Sequence, residues 1–216
     1  GCFVIHESVI AERIICPPPS PCSPLIFRKS IFSLSIRTLY DSFLKRNFLL
    51  FCMNGLLIGR FQPFHLGHLD ALQFALSKVD KLWVGLGSSN LPPQKDNPFS
   101  AEQRQEMILS SIDEVMKEKI SIYFIPDLDN HMKWIEKIDT IVPKFDIIFS
   151  NDELTNHLYS KRDIQIMTIP FLKRDKLSGT RIRDLIISDQ NWNDLVPEGT
   201  KHFLEKINAK NLLKNL

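Results

Sequence analysis

The chain of 216 residues is short of several things, and each shortage excludes a class of protein. Its four cysteines are Cys2, Cys16, Cys22 and Cys52, and none follows Met53. From Met53 onward there is no disulfide and no cysteine nucleophile, and nothing there calls for an oxidising compartment. No apolar run approaches the ~18 residues that a membrane span needs. The best candidate, FLLFCMNGLLIG, is short and is interrupted by Asn54 and Gly55. Charge of one sign is scarce too. The 27 basic and 25 acidic residues leave a net +2, which gives no reason to expect a nucleic-acid partner. There are no internal repeats. What remains has the apolar and charged fractions of an ordinary globular protein, at a length that suits one domain with an appendage.

The appendage is residues 1–52. It begins without a methionine and contains CPPPSPCSP, a stiff polyproline-like linker. A stretch rich in Phe, Ser, Arg and Lys follows. Six basic and three acidic residues give this segment +3 and leave the rest of the chain at −1. Its basic, acid-poor character fits a transit-like leader. It also fits upstream sequence joined to a start at Met53, where the organised pattern begins. On either reading residues 1–52 are an extension, disordered or foreign to the native protein, and the domain is 53–216.

From Gly55 short apolar runs alternate with helical stretches. GLLIGRF, KLWVGLG, ISIYFIP, FDIIFS and IQIMTIP read as five strands. After the first comes a helix with Leu69, Leu72, Leu76 and Val79 on one face. After the second, a loop rich in turn residues leads to Ser100, a helix cap with Gln103 as its capping-box partner. Ile108, Ile112 and Val115 are expected to form that helix's buried stripe. EGTKHFLEKINAK reads as one final helix. Strand–helix alternation with continuously apolar strands predicts an α/β fold with a doubly wound, parallel, five-stranded sheet.

In such a sheet, ligands bind beyond the carboxyl ends of the strands. GRFQPFHLGH, residues 59–68, is the turn that leaves strand one and enters helix one. Pro63 cannot extend the helix backward, so the helix starts near His65 or Leu66. Its free N–H groups then form an anion site. His65 and His68, three apart, project from one side of the first turn. Gly59 permits close backbone approach, Gly67 removes a side chain from the path, and Arg60 adds fixed positive charge. The set suits a polyphosphate whose charge shifts during reaction. Such a histidine pair has two other uses. One is metal ligation, for which no third ligand stands nearby. The other is plain capping or core packing. The spacing of a G-x-G-x-x-G fingerprint or a Walker loop is missing.

SGTRIRDLI, residues 178–186, is a second candidate. Ser178 and Thr180 can cap a helix and Arg183 lies about one turn on, a set that suits outer phosphates. Read alone, it is equally an ordinary capped amphipathic helix with Ile182, Leu185 and Ile186 inside.

The first stretch resembles the H-x-G-H signature of the nucleotidyltransferase superfamily, and GRFQPFH resembles the archaeal-type nicotinamide-nucleotide adenylyltransferases. The second resembles the superfamily's S-x-T-x-x-R motif, matching at Ser178, Thr180 and Arg183. The resemblance implies a Rossmann-like nucleotidyltransferase fold. The reaction it implies is adenylyl transfer from ATP to nicotinamide mononucleotide, giving NAD and pyrophosphate. Relatives with a different acceptor, and a nucleotide-binding module without chemistry, are the alternatives. The implied catalytic residues are His65, His68 and Arg183. The implied ATP and phosphate contacts are Gly59, Arg60, Phe61, Gly67, Arg104, Ser178 and Thr180. Arg104 comes from NPFSAEQR, which is similar to the family's N-P-F-T-A-x-E-R with Gln103 in place of Glu; by itself it reads as a solvated helix arginine. Asn130 and Trp134 fall where the family holds the nicotinamide end, although Trp134 also reads as a core aromatic. Asn151 stands where the family has glycine. The resemblance further implies Mg2+ arriving with ATP, no dedicated metal site, a cytoplasmic enzyme and a homo-oligomer, commonly a hexamer.

Overall fold

The structure is a computed structural model that describes residues 53–170 and 177–216. The extension assigned to 1–52 lies outside the described residues. Five strands form one sheet: β1 (Asn54–Gly59), β2 (Lys81–Leu86), β3 (Ile120–Phe124), β4 (Ile147–Phe149) and β5 (Gln165–Met167). Every pairing is parallel and the order is β3-β2-β1-β4-β5. The expected doubly wound α/β sheet is therefore present. The helices between strands are α1 (Leu66–Leu76), α2 (Ala101–Leu109), α3 (Glu114–Lys119), α4 (His131–Ile141) and α5 (Glu153–Tyr159). After the sheet come α6 (Gly179–Ile187), a 3-10 turn at Asn193–Leu195, α7 (Glu198–Lys206) and α8 (Ala209–Lys214).

Side chains alternate across a strand, so each apolar strand feeds two cores. Leu57, Val84 and Phe149 point to one face, where they meet Leu72 of α1, Met107 of α2, Ile182 of α6 and Phe203 of α7. Leu56 and Ile148 point to the other, against Ile135 and Ile138 of α4 and Tyr159 of α5. The chain changes face between β3 and β4, on opposite sides of β1. This leaves a crevice at the carboxyl end of β1.

Two expected elements differ. The stripe Ile108–Ile112–Val115 is broken because α2 ends at Leu109 and a second N-cap, Asp113, starts α3. Ile112 stays buried but Val115 is 64% exposed. The single final helix is two. Asn208 adopts a left-handed conformation (φ 50°), and its side chain caps α8 by accepting from Asn211 N–H. Asn tolerates that region better than most residues, which is why a helical pattern can break there.

The docking of α7 on α2 requires Gly199. A Cβ there would fall against the Ser110 carbonyl group, closer than packed atoms approach. Gly199→Ala should therefore destabilise the fold by about 1–3 kcal/mol, the scale of an overpacked core. The measurement is denaturant unfolding; unchanged stability would mean that α7 does not seat this closely.

Candidate active site

β1 ends at Gly59, and the turn Arg60–His65 carries the chain into α1. Phe61 takes a left-handed conformation (φ 51°) that folds its ring inward. A Cβ on Gly59 would lie 2.8 Å from that ring. The close approach expected at Gly59 is made here by the Phe61 ring. His65 is the N-cap of α1, and its Nδ1 accepts from His68 N–H at 3.3 Å. His68 Nδ1 accepts from His65 N–H, also at 3.3 Å, closing a capping box made of two imidazoles. The rings stack with centroids 3.5 Å apart, and Phe61 meets the His68 ring edge-on at 4.8 Å.

This box sets the proton positions. A nitrogen that accepts a backbone N–H carries no proton, so each neutral ring keeps its proton on Nε2. Burial pushes His65 down to about 4. Burial, with the neighbouring His65, holds His68 well below its ordinary value. With both rings uncharged at neutral pH, Nε2–H is the nitrogen left to donate, and the Pro63 backbone lies within reach of the His68 ring. No acidic residue occupies the first turn of α1, so its N-terminal end stays electropositive.

The second element is α6. Ser178 caps it by accepting from Arg181 N–H. Arg183, only 7% exposed, reaches back to the first turn, where Nη1 donates to Gln62 O at 2.7 Å. Its Nη2 lies 3.4 Å from Thr180 Oγ1 and 3.6 Å from Asp96 Oδ1. A Cβ on Gly179 would sit 2.5 Å from Gln62 O, so only glycine lets α6 come this close. Burial and the nearby Arg60 lower the Arg183 pKa, while Asp96 and Asp184 oppose the shift.

A cleft of about 220 Å³ lies between the two elements, lined by Arg60, Phe61, Gln62, His68, Asp96, Gly179, Thr180 and Arg183. Of the expected phosphate and catalytic set, the structure brings Arg60, Phe61, His68, Thr180 and Arg183 together there. Others stand behind the lining. His65 is 6% exposed and acts on His68 through the capping box. Gly67 lies against the His65 ring, where a Cβ would be 3.3 Å away. Ser178 accepts in its cap and lies outside the lining.

Arg104 is not where a phosphate contact requires it. It is fully buried, and its guanidinium donates to the carbonyls of Ser100, Arg60, Gly87 and Ser88. Burial lowers its pKa to about 10. The carbonyls at the ends of β1 and β2 take its donors, which makes it neither a solvated arginine nor part of the cleft wall. Asn130 and Trp134 are also outside the lining. Asn130 is the N-cap of α4, accepting from Met132 and Lys133 N–H. Trp134 is half-buried against the second core.

Three lining residues were not anticipated. Gln62 lies inside the quoted first motif and Gly179 inside the second, so both had a local signal. The Gln62 side chain clamps the loop before α2, bonding Asn97 Oδ1, the Phe99 carbonyl (2.8 Å) and Phe99 N–H (3.0 Å). Asp96 had no local signal; that clamp carries it across to Arg183.

The cleft therefore joins two guanidinium groups, an imidazole, a hydroxyl and the starts of two helices. Such a set of donors can bind phosphate oxyanions and stabilise charge that develops on them. Among the described residues no cysteine or serine lines it, and no group of three or more metal-binding side chains occurs.

Residues 56–185 match the model of the cytidylyltransferase-like family. A nicotinamide-nucleotide adenylyltransferase of Thermococcus sibiricus is 35% identical over 166 residues, covering 76% of this chain and 89% of that protein. A protein of the same name from Saccharolobus solfataricus is 36% identical over 164 residues, covering 75% and 95%. Among solved structures, a bifunctional NMN adenylyltransferase/ADP ribose pyrophosphatase from Francisella tularensis, complexed with AMP and a manganese ion, aligns with a TM-score of 0.64 over 76% of this chain. At 23% identity it shows a shared fold, and the chain spans about half of that protein's length, 51%. With its family model matched across both motifs and relatives of this identity covered almost end to end, the chain belongs to the cytidylyltransferase-like family, among the nicotinamide-nucleotide adenylyltransferases.

Proposed function

We propose that this protein transfers the adenylyl group of ATP to nicotinamide mononucleotide, giving NAD and pyrophosphate. The observation that carries this reading is the cleft in which His68, Thr180 and Arg183 converge from two separate motifs. A mononucleotide phosphate oxygen attacks the α-phosphorus of ATP, and the bond to the β-phosphate oxygen breaks. That phosphate is already anionic at neutral pH, so no side-chain nucleophile is required. The protein's tasks are to align two polyanions and to hold the charge passing to pyrophosphate.

His68 Nε2–H donates to the phosphate at the reacting centre, and His65 keeps that tautomer in place. Arg183 and Thr180 hold the outer phosphates, and Arg60 lies between the nucleotides. Arg104 supports the strand-end carbonyls beneath. Magnesium fits as a companion of ATP, held by phosphates and water. Among the described residues the cleft offers one carboxylate, Asp96, already facing Arg183. The nicotinamide end reaches beyond this small cleft toward the loop after β3, where Asn130 and Trp134 stand; Asn130 Nδ2 is left to donate after its oxygen has capped α4. The catalytic domain is 53–216, working in the cytoplasm as a homo-oligomer.

The test is NAD formation from ATP with a panel of acceptors. Nicotinamide mononucleotide should yield NAD and pyrophosphate in equal amounts. Pyrophosphate release only with another acceptor, or with none, would overturn the reading.

His68→Ala should lower kcat and kcat/KM together, by about 10²–10³-fold for one lost preorganised donor. ATP affinity should change less, because Arg183 and the helix N-termini remain. Near-normal turnover by the folded variant would remove His68 from the mechanism.

The pH dependence has a fixed sign. His65 is about 4 when folded and near 6.5 when unfolded, so the unfolded chain binds the extra proton between those values. Stability contributed by the neutral ring is present above about pH 6.5 and is lost as pH falls toward 4, by about 3 kcal/mol at 1.4 per unit. His65→Asn keeps a capping oxygen and does not titrate. Its stability relative to the parent should rise as pH falls through that window; parallel profiles would refute the assignment.

A further inference from the structure

A cleft built for two polyanions holds a carboxylate. Asp96 lines it and lies 3.6 Å from Arg183 Nη2, while its side chain stays 78% exposed. That distance exceeds a good hydrogen bond, so the attraction is mainly Coulombic and easily exchanged. The two partners differ in freedom. Arg183 is buried and held by Gln62 O at 2.7 Å, so it stays in place when Asp96 turns away. Asp96 is exposed but precedes Asn97, which is 3% exposed and bonded to the Gln62 side chain. Its backbone is thus anchored next to the phosphate site while its side chain can swing. A second cation, Arg60, lines the same cleft and repels Arg183, which the carboxylate offsets when no ligand is bound.

We propose that Asp96 is an anion gate: its carboxylate occupies, on Arg183, the position that an outer phosphate takes, and so limits how tightly ATP and pyrophosphate are held. This rests on the phosphate cleft assigned under Proposed function. Entry of the substrate displaces the carboxylate from Arg183. After transfer, its return competes with pyrophosphate and speeds departure of the product. Asp96 acts through Arg183 and is a positioning residue. Weakened ground-state binding is useful here, because tight holding of pyrophosphate would slow each cycle.

The test uses the full chain with Asp96→Asn, and with Glu118→Gln as a control. Glu118 is an exposed carboxylate beside the start of β3, at the amino end of the parallel strands and away from the cleft. Binding of inorganic pyrophosphate and of ATP is measured by calorimetry, with and without Mg2+, alongside steady-state kinetics. Asp96→Asn should bind pyrophosphate and ATP roughly three- to tenfold more tightly, the scale of one partly exposed charge contact plus repulsion of the incoming anion. KM for ATP should fall, inhibition by pyrophosphate should strengthen and kcat should not rise. Glu118→Gln should bind as the parent does. Unchanged or weaker binding in Asp96→Asn overturns the gate, and weakening only with Mg2+ would make Asp96 a metal-directed group instead. Equal tightening in Glu118→Gln also overturns it, as a mere effect of net charge. A parent protein that binds neither ligand would overturn the phosphate cleft and the gate with it.

Discussion

One hydrogen bond joins the two halves of the site. Arg183 Nη1 donates to Gln62 O across 121 residues of sequence, at 2.7 Å. It binds α6 to the turn that leaves β1. Without it the histidine box and the α6 N-terminus are two separate anion sites, neither able to span a chain of phosphates. The contact has two preconditions. Gly179 must lack a side chain, because a Cβ would strike the accepting carbonyl. The buried guanidinium must find partners, because an unpaired cation there would be costly. Gln62 O, Thr180 and Asp96 meet that need.

The same logic recurs beneath the cleft. Strand ends leave carbonyls and amides without ladder partners, and buried ones must be satisfied. Arg104 takes the carbonyls of Arg60, Gly87 and Ser88 with one side chain. Asn90 and Asp127 exchange hydrogen bonds that tie the loop after β2 to the loop after β3. Asn151 and Ile169 do the same for the loops after β4 and β5. The crevice is therefore edged by loops tied in pairs. Within that frame the capping box holds the imidazole and Gln62 O holds the Arg183 guanidinium before any ligand arrives, the condition for electrostatic catalysis.

Features with local causes were legible in the sequence. Five apolar runs became five parallel strands, and Ser100 with Gln103 formed the expected capping box. His65 and His68 do project from the first turn of a helix, and Arg183 does lie one turn from Ser178. The structure shows the capping role for both histidines, and of the two only His68 lines the cleft. Features with long-range causes were not legible. Arg104 sits on an exposed-looking helix in sequence, and only folding supplies the carbonyls that bury it. Asp96 reaches the cleft through the Gln62 clamp, 35 residues away. The break at Asn208 depends on a left-handed conformation that helical periodicity cannot register.

The shared cleft is tested most directly by a crystal structure of the protein with a non-hydrolysable ATP analogue. The outer phosphates should lie within hydrogen-bond reach of Arg183 Nη2 and the Thr180 hydroxyl, and the α-phosphate should face His68 Nε2. A triphosphate bound elsewhere, or one touching only one of the two motifs, would contradict the assignment.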